Sequence, residues 1–298
     1  MRVMVLGNGQ RAGVGEEAER LLPFLRDHCD IVVFDLSQTQ DLSAVEAELT
    51  LVLGGDGAIL RAARQMGYHQ VPVLGVNLGK LGFLADLSPD ELRQVFPSVV
   101  RGEYRIAHHL MYECLVEEID DGTARPKAVA PPPAPSPRDP LTNAYLGLNE
   151  MAIQTGPPFH LLELDLLIDG EAVSRYSGDG LIISTPVGST GHSLSAGGPI
   201  LGQELSAFVI TPICPHALSN RPLVDSADKV YTVQTGRPTE GMMLILDGQC
   251  TIPLPRRHRV TVRRAPVTFQ LMKVSGHSYY RTLRNKLHWG MQPNYRQE

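Results

Sequence analysis

Paired cysteines are missing from this chain. Cys29, Cys114, Cys214 and Cys250 lie far apart and form no Cys-x-x-Cys pair, which leaves no disulfide framework to read. Nothing at the amino terminus has the basic, then apolar, then small-residue pattern of an export signal, so reduced thiols in the cytoplasm are expected. No apolar run approaches the roughly 20 residues of a membrane-spanning helix, and no membrane association is expected. A basic surplus is also lacking: 27 Lys and Arg face 32 Asp and Glu, for a net charge of -5. That balance argues against a general nucleic-acid binder and means that an anionic ligand must be held locally. None of the ten histidines stands at zinc-ligand spacing. The adjacent His108 and His109 would point to opposite faces of a strand, so no metal is assigned to protein ligands. There is no internal repeat, and Gly7, Gly9, Gly13 and Gly15 miss the Gly-x-Gly-x-x-Gly dinucleotide fingerprint.

What is present starts with alternation. A buried strand at 2–6, a helix at 16–27 with Ala18, Leu21, Leu22 and Leu25 on one side, and a strand at 30–35 make a βαβ unit of a parallel sheet. A third strand at 49–53 ends in Gly54-Gly55-Asp56-Gly57 before a helix at 58–66. A glycine turn between a strand's carboxyl end and a helix offers open backbone N–H groups where phosphate is favoured. Asp56 reads equally as the helix cap and as a carboxylate that takes a proton from a hydroxyl. A strand at 71–76 leads into a second glycine-rich segment, Gly75 to Leu84, in which Phe83 is either core or a stacking surface. A helix at 89–100 closes this unit.

Beyond Tyr104 short strands dominate, at 104–109, 112–118, 147–154, 162–168, 180–185, 207–211, 229–234, 242–246 and 259–264. The expected architecture is therefore α/β plus β. Residues 1–102, joined by about 270–298, form a parallel-sheet α/β domain carrying the Gly-Gly-Asp-Gly loop. Residues 103–269 form a β-rich, sandwich-like domain, and a helical tail at 279–288 packs back on the first. Seven prolines between Arg125 and Pro140 predict an extended insert at 125–140 that stays out of the sheet.

Within the second half, the stretch Gly178 to Pro199 delivers a strand into a run of hydroxyls and glycines from Ser184 to Ser195. It reads as a ligand-gripping loop or an ordinary surface loop. Asn149-Glu150 offers an amide and a carboxylate able to bracket ribose hydroxyls, or simply ends a strand. His216 and Arg221 lie in a proline-fixed loop, and Asp247-Gly248-Gln249 is a turn that leaves Gln249 free to reach a ligand.

Taken in order, Gly54-Gly55-Asp56-Gly57, Asn77-Leu78-Gly79-Lys80-Leu81-Gly82-Phe83-Leu84, Asn149-Glu150, the Gly178 to Pro199 stretch, Ile213-Cys214-Pro215-His216, Asp247-Gly248-Gln249 and the closing Leu287-His288-Trp289-Gly290 resemble the NAD kinase family. The resemblance covers nearly the whole chain outside the proline insert. It implies transfer of the terminal phosphoryl group of ATP, carried with Mg2+, to the 2′-hydroxyl of the adenosine ribose of NAD. Asp56 would accept the proton, Gly57 would help hold NAD, and Arg61 would be available to phosphate. Phe83 matches an aromatic near the adenosine; Asn149 and Glu150 would hold its ribose. Asp179 would bind a polar group of the dinucleotide. Thr190, Gly191, His192, Ser193, Leu194 and Ser195 would line the adenine side, Cys214 the nicotinamide side, and Gln249 a further contact. A homodimer or homotetramer is implied as well. The chain departs from the family pattern at Val187, where Thr or Ser is usual, at Gly191 for Ala, and at His192 for Tyr. The competing readings are a lipid or sugar kinase with the same glycine loop and a non-catalytic dinucleotide-binding regulator; formation of NADP separates all three.

Overall fold

The computed structural model describes residues 1–79, 82–85, 87–119, 144–217, 219–274 and 278–287, together with the backbone of 127–128. The first third alternates strands and helices: β1 (Arg2–Gly7), α1 (Val14–Arg26), β2 (Asp30–Asp35), β3 (Leu49–Leu53), α2 (Asp56–Met66), β4 (Val73–Val76) and α3 (Pro89–Val100). Strands follow: β5 (Arg105–Glu118), β6 (Lys127–Ala128), β7 (Tyr145–Gly147), β8 (Glu150–Thr155), β9 (Leu162–Ile168), β10 (Glu171–Gly178) and β11 (Gly180–Ser184). After a 3₁₀ turn at Gly188–Thr190 and the one-turn helix α4 (His192–Ser195) come β12 (Ala207–Ile213), β13 (Leu223–Ser226), β14 (Tyr231–Thr235), β15 (Met242–Leu246), β16 (Cys250–Pro253), β17 (His258–Lys273) and α5 (Tyr279–Leu287).

Every residue of β3 and β4 is buried, as expected for parallel strands covered on both faces. α1 and α3 cover one face, where Leu21, Leu25, Leu92 and Phe96 pack with Val3, Val5, Leu49 and Leu51. Ser88 and Glu91 close the start of α3 as a reciprocal capping box, with Glu91 N–H donating to Ser88 Oγ (3.2 Å) and Ser88 N–H to Glu91 Oε2 (2.7 Å). α2 covers the other face, and its Ile59, Leu60 and Met66 share a cluster with Leu146, Leu148, Val187 and Phe269. That cluster brings the Gly-Gly-Asp-Gly turn alongside the second half of the chain.

Two sheets result. One runs β10-β9-β14-β17-β4-β3-β1-β2 with β5 added on β17, and the other runs β13-β12-β11-β8-β15-β16. β9, β14 and β15 bury alternate residues, the period of a sheet with one face on the core. Leu164, Val233 and Val260 of the first sheet meet Ile153, Leu181, Phe208 and Leu244 of the second. The expected α/β plus β-sandwich architecture is thus observed. β17 is the join: it pairs antiparallel with β5 and β14, and at Leu271 it pairs parallel with Val73 of β4.

Several expected boundaries differ. The strands expected at 104–109 and 112–118 are the single strand β5, and that expected at 259–264 runs on to Lys273. Pro266 suggests a strand end in the sequence, but the register shift between Arg264 and Thr268 absorbs it as a bulge opposite Met111. Strands β10, β13 and β16 had no expectation; β10 is largely exposed and the other two are four residues long, so no apolar alternation announces them. Of the 125–140 insert only Lys127–Ala128 is described. Its backbone pairs with Glu117 and Glu118, so these two non-proline residues do join the sheet, contrary to expectation. Lys80, Leu81, Leu218 and His288–Gly290 of the sequence motifs lie outside the described residues. Among the described residues no helix is long and apolar enough to cross a membrane.

A Cβ at Gly147 would overlap the ring of the fully buried Tyr112. Gly147→Ala is therefore expected to lower stability by about 1–3 kcal/mol, the usual penalty of overpacking. Urea unfolding of the two proteins measures it, and equal midpoints would contradict the packing described.

Candidate active site

Asp56 is the first residue of α2, and Gly55 before it is the N-cap with no side-chain cap. The cap reading therefore does not hold. The carboxylate instead crosses to the second glycine-rich segment, where Oδ2 accepts from Phe83 N–H (2.9 Å) and Oδ1 accepts from Leu84 N–H (2.9 Å) and Ala85 N–H (3.2 Å). Gly82 makes this approach possible, since a Cβ there would strike the Asp56 carboxylate. The N–H groups of three successive residues so orient both oxygens.

Flanking Asp56, a cleft of about 380 Å³ is lined by Asn8, Arg11, Gln38, Gly54, Gly57, Arg61 and Gln249. A second, of about 330 Å³, is lined by Arg11, Gly54, Gly55, Asn77 and Gly79. Arg11 thus stands in both. Arg61 Nε and Nη2 donate to the Gln38 carbonyl (3.2 and 3.0 Å), and burial together with the like charge of Arg64 lowers its guanidinium pKa.

The Asp247-Gly248 turn between β15 and β16 has φ of 50° and 64° at its two central residues, and Gln249 N–H donates to Leu246 O (3.0 Å). Leu246 pairs with Cys250, so the connection is three residues long, and Asp-Gly tolerates the two successive positive φ values it needs. The turn tucks the Asp247 carboxylate into the interior, 4% exposed. Oδ1 accepts from Asn149 N–H (2.8 Å) and Glu150 N–H (3.2 Å), and Oδ2 from Leu148 N–H (3.1 Å) and Arg64 Nη1 (3.3 Å). The Tyr112 hydroxyl, which donates to the Glu150 carbonyl (2.7 Å), lies 3.2 Å from Oδ1. Gln249, expected to be free for a ligand, is held at both ends: Nε2 donates to Gly57 O (2.8 Å) and Oε1 accepts from Arg64. It lines the cleft as a bridge from the turn to α2.

Asp247 therefore sets the Asn149-Glu150 backbone. Glu150 is 5% exposed, and its Oε2 has no hydrogen-bond partner among the described residues. Burial, reinforced by the Asp247 charge, pushes its carboxyl up to about 8. Oε2 and Asn149 Nδ2 converge on Gly191, lying 3.5 and 3.9 Å from where a Cβ would stand. An amide and an orphaned carboxyl meeting beside a glycine suit a ligand bearing hydroxyls.

The hydroxyls after β11 mostly face inward. Ser189 Oγ donates to Pro186 O (2.6 Å), Thr190 Oγ1 to Val187 O (3.1 Å), and Ser193 Oγ lies 2.9 Å from Thr211 Oγ1. They brace a wall whose outward side chains are His192 and Ser195, with Leu194 half-buried. Val187, 3% exposed, belongs to the α2 cluster, which accounts for an apolar residue at that position. Asp179 and Cys214 pair with each other, the carboxylate raising the thiol pKa through a hydrogen bond. They stand at the other end of β11, about 17 Å of strand away from the loop, so the chain does not gather them with the rest. Phe83 has Lys286 Nζ 4.3 Å from its ring centre. Among the described residues no group of three His, Cys, Asp or Glu could hold a metal ion.

Sequence reasoning missed Asp247, Arg64, Tyr112, Arg11 and Lys286. The Asp-Gly pair announced the turn; nothing local announced that its carboxylate is buried. Asp247→Asn leaves Arg64 without its buried counter-ion and is expected to lower stability by about 3–5 kcal/mol. Chemical denaturation measures it, and a loss under about 1 kcal/mol, the value of a surface pair, would contradict the buried role.

Comparison with known proteins bears on the family. The ATP-NAD kinase N-terminal domain family matches residues 10–104, and the ATP-NAD kinase C-terminal domain family matches 148–274. An NAD kinase of Rhodopirellula baltica is 44% identical over 288 residues, covering 97% of this chain and 86% of the relative. One of Geobacter metallireducens is 35% identical, covering 92% and 90%. Among solved structures, yeast NADH kinase complexed with NADH shares the fold at a TM-score of 0.83 and 22% identity, covering 100% of this chain and 90% of its own. An NAD kinase from Archaeoglobus fulgidus in complex with ATP does so at 0.72 and 23%, covering 97% and 98%. Matches to both domain families and identity of this extent along nearly the whole chain lead to one conclusion: the chain belongs to the ATP-NAD kinase family.

Proposed function

We infer that the protein is an NAD kinase, transferring the terminal phosphoryl group of ATP to the 2′-hydroxyl of the adenosine ribose of NAD to give NADP. The observation that carries the site assignment is the position of Asp56, oriented by three backbone N–H groups and flanked by two glycine-walled clefts. The yeast neighbour holds NADH and the archaeal one ATP, which supports both kinds of nucleotide as ligands here.

Phosphoryl transfer asks for positioning and charge neutralisation more than for covalent chemistry. The glycine turn supplies open backbone, Arg11 and Arg61 face the cleft as cations, and Mg2+ arrives on ATP as part of the substrate. Glu150, with a carboxyl titrating near 8, is a neutral acid at pH 7 and donates a hydrogen bond to a ribose oxygen, while Asn149 fixes the same ribose. The ribose oxygen bonds to phosphorus as the bond to the departing ADP breaks, and its proton passes to Asp56. Gly57 and Gln249 shape the floor beneath the ribose. Phe83, Thr190, Gly191, His192, Ser193, Leu194 and Ser195 form the adenosine side, with His192 presenting less area than the usual Tyr. Asp179 and Cys214 serve the far, nicotinamide end. We propose a division into an α/β unit, 1–102 with the tail from about 270, and a β-rich unit at 103–269. The assembly proposed is a cytoplasmic homodimer or homotetramer, and four cysteines outside any disulfide suit a reducing compartment.

Asp56→Asn keeps one acceptor oxygen for the Leu84 and Ala85 N–H groups, so the variant is expected to fold and bind NAD. Its turnover should fall about 10²–10⁴-fold, the range of general-base contributions. A coupled NADP assay measures this, and near-normal turnover would contradict the role.

A further inference from the structure

The tail helix brings a cation to the carboxylate read as the proton acceptor. Lys286 on α5 places Nζ 3.7 Å from Asp56 Oδ2, the two side chains being 30% and 29% exposed, and 4.3 Å from the Phe83 ring centre. α5 is seated by the buried Thr282 and Leu283 and by the Tyr279 hydroxyl, which donates to Leu201 O (3.3 Å). A carboxylate has about four lone-pair positions. Three are taken by the N–H groups of Phe83, Leu84 and Ala85, and the ammonium faces what remains. In this arrangement the ammonium stands beside the one acceptor position that the backbone leaves open to a hydroxyl.

The occupants differ in how readily they yield. Leu84 and Ala85 are buried, 2% and 0% exposed, so their N–H groups are fixed in packed backbone. Lys286 reaches Asp56 on a flexible four-carbon stem, and its contact is the longest of the four. An aromatic face beside it gives the ammonium a second favourable neighbour as it moves.

We propose that Lys286 is a catalytic residue for phosphoryl transfer: it is the counter-ion of Asp56 in the unliganded protein, yields that place to the ribose hydroxyl, and turns its ammonium to the transferring phosphoryl group. The proposal rests on Asp56 being the proton acceptor. In the step itself the ribose oxygen bonds to phosphorus, the bond from phosphorus to the bridging oxygen of ADP breaks, and the hydroxyl proton goes to Asp56. Lys286 keeps its protons throughout and supplies charge alone.

The test compares the full-length parent with Lys286→Met, which keeps an apolar stem, and Lys286→Arg, which keeps the charge. Steady-state kinetics with Mg-ATP and NAD give kcat and KM, calorimetry gives NAD affinity without ATP, and thermal melts check folding. The proposal expects kcat of Lys286→Met to fall about 100-fold, as on losing one donor that stabilises transition-state charge. NAD affinity should stay the same or tighten, because a competitor for Asp56 is gone, and Lys286→Arg should recover most of the rate. Unchanged kcat in Lys286→Met would overturn it. So would parallel loss of NAD affinity in both variants, which marks a structural role. Asp56→Asn assayed alongside separates the failures: normal turnover there sinks the proton-acceptor reading, whereas a dead Asp56→Asn beside a normal Lys286→Met sinks only the lysine.

Discussion

A single buried carboxylate organises the site. Asp247, with its side chain fully buried beside a 5% exposed Arg64, is tolerable in the interior only because it is paired and hydrogen-bonded. Its partners come from separate parts of the chain: Arg64 from α2, Tyr112 from β5, and the N–H groups of Leu148, Asn149 and Glu150 from the β7–β8 corner. One interaction thereby fixes the Asn149-Glu150 dipeptide relative to the helix that begins with Asp56. The neighbouring Gln249 repeats the link through Gly57. The negative charge that does this also helps hold Glu150 in its neutral form, so structural and chemical roles share one cause.

The walls follow a related logic. Glycine provides approach where a side chain would collide, as Gly82 does for Asp56. The loop after β11 uses its hydroxyls to tie down its own backbone. A dense run of Ser and Thr therefore marks a rigid wall here more than a set of ligand donors. Arg11 and Arg61 in the cleft wall and Lys286 beside Asp56 supply locally what a net charge of -5 does not supply globally.

Much of this was legible in the sequence because the signals are local. Apolar runs with glycine turns gave β1, β3 and β4 with the helix after Gly54-Gly55-Asp56-Gly57, and Asp-Gly after an apolar strand gave the turn that follows β15. What stayed hidden depends on distant pairing. Asp56 finds its donors 27 to 29 residues onward, Asp247 finds Arg64 at a separation of 183, and β17 runs through Pro266 because a bulge accommodates it. A sequence pattern shows which residues can pair or bend, and only the closed fold shows what stands opposite them.

The central claim, that Asp247 and burial together keep Glu150 protonated and in place, is tested most directly by stability against pH. Glu150 is raised from 4.5 to about 8 in the folded protein, so the folded state holds the extra proton across that window and the parent loses stability as pH rises through it. Glu150→Gln removes the titration. Chemical denaturation of both proteins from pH 4 to pH 9 should show the variant's advantage growing from about pH 4.5 and levelling above about pH 8, with the window contracting toward lower pH when Asp247→Asn is added. A stability difference that stays constant across the whole range would contradict the account.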